Sequence, residues 1–294
     1  MTMIIDGKAI AKEIRKELKE KTEILFNEQG IRPGLALMIV GEDPASKVYV
    51  NMKAKACEEL GYYSIIEKMS ADTEEAVVLA KIAEWNGNPQ IHGILVQMPL
   101  PKQINPDKVI EAISPLKDVD GFHPSNVGRM IIGLPGFIPC TPAGIIEMLK
   151  RYNINASGKH TVVLGRSNIV GKPIANLMFQ KRKETNSIVT VCHTATKDFT
   201  QYTLQADILI AAAGVPEMIK AKDIKSGAVI IDVGTNRVED PSAPKGYRLT
   251  GDVDFESVKH KVSAISPVPG GVGPMTITML LDNTYKSAVK EYYD

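Results

Sequence analysis

Short apolar or β-branched runs, each bounded by Gly, Pro or Asn, alternate with helical patterns along this 294-residue chain. LALMIV (35–40), YSIIEKM and HGILVQM are interleaved with helical stretches at 8–28, 44–60 and 73–85. TVVLG, SIVTVCH, ADILIAAAG, GAVIIDVG and VSAISPV continue the pattern in the second half. Strands separated by helices pair in parallel, because a parallel neighbour needs a long crossover. Strands that are apolar throughout are buried on both faces. The expected class is therefore α/β, with parallel sheets covered by helices. Ligands in such sheets sit beyond the carboxyl ends of the strands, so chemistry is to be sought in the turns there.

Bulk properties remove several classes of function. The net charge is +1, with no long Lys/Arg run, so the basic footprint of a nucleic-acid binder is missing. No apolar stretch reaches membrane-spanning length. The start, MTMIIDGKAIAKEIRKELKE, carries acids and turns directly into a helical pattern, unlike a signal or transit peptide. Cys57, Cys140 and Cys192 are odd in number and have no metal-ligand spacing. The expectation is a reduced, cytoplasmic protein with no metal and with neither nucleic acid nor membrane as partner.

Two domains fit the length. Pro, Gly and Asn crowd between KDVDGFHPSNVGRM and PCTPAGIIEMLKRYN, where Thr141 reads as an N-cap and Pro142 as the first helical residue. One domain is expected at 1–140 and a second at 141–273, with a closing helix at 274–294 packing back on the first. The stretch PVPGGVGPMT (267–276) holds three glycines and three prolines. Glycine permits close backbone approach and proline fixes the path. Its alternatives are an ordinary loop before a helix begun by Pro274, or a binding loop lining a cleft between the domains.

After TVVL comes GRSNIVGKPIANLMF, in which a glycine leaves the strand and a helix begins near Ile169, its amino end suited to an anion. This is not G-x-G-x-x-G. Nor is it an ATPase phosphate loop, since five residues separate Gly165 from Gly171 where four are required, and Pro173 replaces the magnesium-binding hydroxyl. A plain strand-to-helix turn is the alternative. AAAGVPEM and DVGTNR, however, add two more glycine turns after strands, as a dinucleotide lying across one sheet edge requires. The VTVCHTATKD strand end offers His193, Thr194, Thr196 and Lys197 before its first acid, Asp198, and Arg166 follows Gly165. Cations and hydroxyls without a carboxylate suit a ribose 2′-phosphate, so NADP is the expected cofactor.

DPASKVYVNMKAKACEELG reads as a helix from Pro44 to a stop at Gly61. On a wheel of about 100° per residue, Val48, Tyr49, Val50, Met52, Ala56, Cys57 and Leu60 form an apolar arc that includes Lys53. Such a lysine either snorkels to solvent or is held in a cleft, where desolvation lowers its pKa and frees an amine for proton transfer. GILVQMPLP ends in Gln97, a neutral group able to orient an amine. Asp118 and Asp120 lie in KDVDGFHP. Asp120 either caps the turn before Gly121 or accepts two hydrogen bonds from an amino-pyrimidine edge. His123, without visible partners, is taken as structural.

In this order, DGKAIA, YVNMKAKACEELG, GILVQMPLP, KDVDGFHPSNVGRM, PCTPAGI, GRSNIVGKP, DVGTNR, GDV and PVPGGVGPMT resemble the bifunctional methylenetetrahydrofolate dehydrogenase/cyclohydrolase family over almost the whole chain. The resemblance implies an amino-terminal α/β folate domain, a Rossmann-like NADP domain, an interdomain cleft, a returning carboxyl-terminal helix and a homodimer. It implies oxidation of 5,10-methylenetetrahydrofolate by NADP, then hydrolysis to 10-formyltetrahydrofolate. The family's catalytic lysine falls on Lys53, its stacking tyrosine on Tyr49, its supporting glutamine on Gln97 and its pterin-binding aspartate on Asp120. Pro269, Gly270 and Gly271 fall on its substrate loop. Gly165, Arg166, Ser167, His193, Thr194 and Thr235 fall on its nucleotide contacts. Thr194 stands where many members carry serine, and Thr235 where many carry isoleucine. Two rivals are a shikimate-type NADP dehydrogenase, which leaves Tyr49, Lys53 and Gln97 without a joint purpose, and a nucleotide-binding module without turnover.

Overall fold

A computed structural model of the chain describes residues 2–243 and 246–292. In chain order the elements are β1 (Met3–Ile4), α1 (Gly7–Gln29), β2 (Gly34–Val40), α2 (Pro44–Glu59), β3 (Tyr63–Met69), α3 (Glu75–Gly87), β4 (Gly93–Val96), α4 (Pro106–Ala112), α5 (Pro124–Ile131) and α6 (Cys140–Arg151). There follow β5 (His160–Leu164), α7 (Gly171–Phe179), β6 (Ile188–Cys192), α8 (Thr200–Thr203), β7 (Ile208–Ala211), β8 (Val229–Asp232), β9 (Asn236–Glu239), β10 (Tyr247–Thr250), α9 (Phe255–Val258), β11 (Ala264–Ile265) and α10 (Val272–Ala288). Contacts divide the chain into two compact units, Glu13–Cys140 with Ile277–Asp294, and Met1–Lys12 with Thr141–Thr276.

The first of these units is built on a parallel sheet of order β3-β2-β4. Its central strand is buried at every position, which is why GLALMIV is apolar without alternation. Ala36, Met38 and Val40 pack with Val78, Ile82 and Trp85 of α3 and with Ile94 and Val96 of β4. Each large side chain so buried contributes about 1.5–3 kcal/mol before entropy is counted. Within the same unit, α10 supplies Asn283, whose Nδ2 donates to Val119 O (2.9 Å) and Ile138 O (3.1 Å).

The second unit holds a six-stranded parallel sheet of order β1-β11-β8-β7-β5-β6. After β5 the chain places β6 on one side and β7 on the other, so the order reverses there. The carboxyl ends of β5 and β7 therefore flank the crevice where an α/β sheet of this kind binds ligands. Alternate strand residues, among them Val162, Leu164, Leu209, Ala211 and Ile230, form one face of its core.

The structure departs from sequence expectation at identifiable places. Residues 1–12, expected with the first domain, belong with 141–276: β1 pairs with β11, and Thr2 Oγ1 donates to Val262 O, 260 residues away. A two-residue strand has no periodicity to read, and so distant a partner leaves no local trace. The antiparallel pair β9–β10 was not expected either, because its residues are mostly polar and partly or fully exposed. Helix α6 starts at Cys140, so Thr141 is helical and its hydroxyl meets Thr276 Oγ1 at 2.9 Å. Helix α10 likewise starts at Val272, ahead of Pro274.

Candidate functional site

Helix α2 starts where Asp43 caps it, the carboxylate accepting from Ser46 N at 2.7 Å, with Pro44 in the first turn. Its buried residues are Ser46, Val50, Lys53, Ala56 and Cys57, a stripe at helical spacing with the lysine in its middle. The arc expected from the wheel is thus corrected: Val48, Tyr49 and Met52 are 57%, 43% and 49% exposed. Lys53 is only 9% exposed, so it does not snorkel. An apolar surface left open one turn from a buried lysine leaves a face on which a flat ring can lie.

Lys53 Nζ donates to Gln97 Oε1 at 3.0 Å, and Gln97 Nε2 donates in turn to Met98 O at 2.8 Å. The glutamine is therefore fixed at both ends just beyond β4, and its oxygen faces the amine. Asp120 completes the group. Burial pushes its carboxyl above the usual range, while the Lys53 charge and the Cys140 thiol pull the other way.

The two acids of KDVDGFHP have separate places. Asp118 is 2% exposed, with Oδ1 accepting from Phe122 N (3.1 Å) and Oδ2 from His123 N (2.8 Å) and Asn126 Nδ2 (2.9 Å). Burial raises its pKa to about 7. Asp118 is thus the turn-holding acid, and Asp120 faces Lys53. His123 caps α5, its Nδ1 accepting from Ser125 N at 3.0 Å. Two supporting residues, Cys140 and Asn283, were missed from sequence. Asn283, the polar break in ITMLLDNTY, was the available signal.

In the other unit, Gly165 has φ of +124°, and a Cβ there would lie 2.2 Å from Ala212 O. The turns after β5 and β7 therefore touch backbone to backbone at the reversal of strand order. Ser167 Oγ accepts from Val170 N and Gly171 N, both at 3.2 Å, where α7 begins. Arg166, beside it, is exposed and makes no ion pair among the described residues. At the end of β6, His193 Nδ1 accepts from Ala195 N (3.2 Å), and Thr194 is exposed. Asp198, the first acid, is turned to Thr200, accepting from its N (2.9 Å) and Oγ1 (2.6 Å). Thr235 is exposed after β8, and Gly214 has φ of +70° with open space where a Cβ would stand. Exposed hydroxyls, an unpaired guanidinium and side-chain-free turns fit a phosphate-bearing nucleotide.

Pro269, Gly270 and Gly271 belong to this second unit. Gly7 accounts for part of the loop's bareness: a Cβ on Gly7 would lie 1.9 Å from Gly271 O, and Lys8 N donates to Gly270 O at 2.9 Å. The described residues contain no cluster of metal-ligating side chains, and no helix among them is long and apolar enough to cross a membrane. The three cysteines are free and buried.

Comparison with known proteins meets this geometry from outside. Residues 5–120 match the family described as tetrahydrofolate dehydrogenase/cyclohydrolase, catalytic domain, and residues 139–292 match its NAD(P)-binding domain. The bifunctional protein FolD of Chloroherpeton thalassium is 58% identical over 97% of this chain and 98% of its own length. The structure of the bifunctional FolD dehydrogenase/cyclohydrolase of Campylobacter jejuni superposes with a TM-score of 0.93 at 46% identity, covering 99% of this chain and all of the other. The Trypanosoma brucei dehydrogenase-cyclohydrolase, complexed with NADP and an inhibitor, gives 0.93 at 38% identity, covering 99% and 98%. The two domain matches span most of the chain, and the relatives match along nearly its full length: the chain belongs to the tetrahydrofolate dehydrogenase/cyclohydrolase family.

Proposed function

We propose that Tyr49, Lys53, Gln97 and Asp120 form the folate site of a bifunctional enzyme. It oxidises 5,10-methylenetetrahydrofolate with NADP and hydrolyses the methenyl product to 10-formyltetrahydrofolate. The observation that carries this reading is Lys53, buried in the α2 stripe with its amine held on Gln97. Asp120 accepts from the amino-pyrimidine edge of the pterin, and Tyr49 lies against its ring. Pro269, Gly270 and Gly271 approach the substrate through backbone alone.

When bound, NADP supplies the hydride acceptor of the oxidation. Gly165, Arg166, Ser167, His193, Thr194 and Thr235 hold it, with Arg166 on the 2′-phosphate. The oxidation needs alignment rather than a strong base, because the product cation is shared between two nitrogens. Hydration is different, since water attacking the methenyl carbon must lose a proton. Lys53 takes that proton, the bond from the carbon to N5 then breaks with N5 protonated, and the formyl group stays on N10; Gln97 Oε1, an acceptor without charge, holds the lysine nitrogen in place. The working enzyme in this proposal is a cytoplasmic homodimer whose partners are tetrahydrofolate derivatives, with no nucleic acid or membrane. Sedimentation at the mass of two chains supports the dimer, and the mass of one chain rejects it.

Formation of NADPH on addition of 5,10-methylenetetrahydrofolate tests the oxidation, and its absence rejects the reading. Cofactor choice is tested separately. Arg166→Ala should raise the KM for NADP about tenfold, the scale of one lost charge-assisted hydrogen bond, while the KM for NAD changes little. Equal effects on both cofactors would remove Arg166 from the 2′-phosphate.

A further inference from the structure

Asp232 and Asp252 are 3% and 0% exposed and lie outside every role assigned so far. Asp252 Oδ2 accepts from Ala213 N (2.6 Å) and Gly214 N (2.9 Å), while its Oδ1 accepts from Asn236 Nδ2 (2.9 Å). One carboxylate thus holds the turn after β7 and the residue that follows Thr235. Asp232 Oδ1 accepts from Gly234 N and Asp252 N, and its Oδ2 from Val253 N, each at 3.0 Å. Asp232 N donates to Ser266 Oγ (2.8 Å) at the end of β11. The turns beyond three neighbouring strands are therefore tied to two adjacent buried acids.

Glycine makes this packing possible. A Cβ on Gly234 would lie 2.3 Å from Asp252 Oδ1, and one on Gly251 would lie 1.8 Å from Asp232 Oδ2. The DVG and GDV motifs are two halves of one lock, each glycine admitting the other motif's carboxylate. Burying two carboxylates side by side is costly, and it is sustained only when each is well supplied with donors. An ordinary pair of surface turns needs no such arrangement. Turns that must present bare backbone to a nucleotide do, because fixing them beforehand removes an ordering cost from binding.

We infer that Asp252, held by Asp232, is a positioning residue for the nucleotide, setting the Ala213–Gly214 turn and the Thr235 segment in their binding shape. The inference rests on the NADP site proposed above. Asp252→Asn removes the charge that the Ala213 and Gly214 donors face, and its amide can meet Asn236 only if Asn236 turns its own oxygen inward, so the ties are weakened. Asn236→Ala removes a single tie and leaves the buried acid in place. The test is calorimetric titration of NADP into the parental enzyme and both variants, with dehydrogenase kinetics and cyclohydrolase turnover of supplied methenyltetrahydrofolate.

Asp252→Asn should raise the Kd and KM for NADP about tenfold, with kcat at saturating NADP and cyclohydrolase turnover each within about threefold of parental. Asn236→Ala should shift NADP binding the same way by a smaller factor. Parental NADP affinity in both variants overturns the inference and leaves the NADP site standing. Failure of the parental enzyme to bind NADP overturns both. Loss of cyclohydrolase turnover together with NADP binding in Asn236→Ala overturns the inference by making the tie a general support of the fold.

Discussion

Lys53→Met is expected to separate the two activities. The side chain lies in the buried stripe of α2, at 9% exposure, so an unbranched apolar replacement keeps the packing. The helix start is untouched, because Asp43 and Pro44 fix it independently. What disappears is the amine that donates to Gln97 Oε1. Cyclohydrolase activity should fall about a hundredfold or more, the usual scale for a lost general base. Dehydrogenase activity should persist in part, because Asp120, Tyr49 and the nucleotide turns still align the reactants. Methenyltetrahydrofolate would then accumulate, visible by its absorbance. Hydrolysis of methenyltetrahydrofolate at the parental rate, after subtraction of the uncatalysed reaction, would remove Lys53 from the mechanism.

The second large effect distinguishes two acids that stand two residues apart. Asp120→Ala should weaken folate binding about a hundredfold in both reactions, since both use one pterin site. It should do so with little loss of stability, because burial already disfavours that carboxylate in the free enzyme. Asp118→Ala should behave in the opposite way. Phe122 N and His123 N would lose their acceptor in a half-buried turn, and Asn126 Nδ2 would keep Pro115 O. A cost of about 3 kcal/mol is expected, read as a fall in the unfolding midpoint by several degrees. The folate KM of the protein that remains folded should change little. Interchanged outcomes would mean that Asp118 holds the pterin and Asp120 the turn.

The α/β architecture was legible in sequence because its determinants are local. Each buried parallel strand is a short, largely apolar run, and small residues open several of the turns beyond, at Gly41, Gly165, Ala212 and Ser266. Lys53 stood out for the same reason, as a cation within an apolar helical pattern, although the wheel misjudged which neighbours are covered. Val48, Tyr49 and Met52 look like core residues by hydrophobicity, and only the fold shows them left open. Elements made by distant partners were beyond local reading. Strand β1 exists because β11 lies beside it, and Gly7 matters because Gly271 packs against it. Asp232 and Asp252 looked like two ordinary acids beside glycines. Their meaning lies in donors drawn from three separate segments, 213–214, 234–236 and 252–253, a relation that no spacing along the chain reveals.

One chain oxidises a folate one-carbon bridge and then hydrolyses the product. The most direct measurement follows product identity when the parental enzyme meets NADP and 5,10-methylenetetrahydrofolate. NADPH formation should be matched by the sum of methenyl- and 10-formyltetrahydrofolate, with the formyl product continuing to rise after NADP is exhausted and faster than in an enzyme-free control. Oxidation that stops at methenyltetrahydrofolate, with hydrolysis no faster than the control, would mean that this chain lacks the second activity.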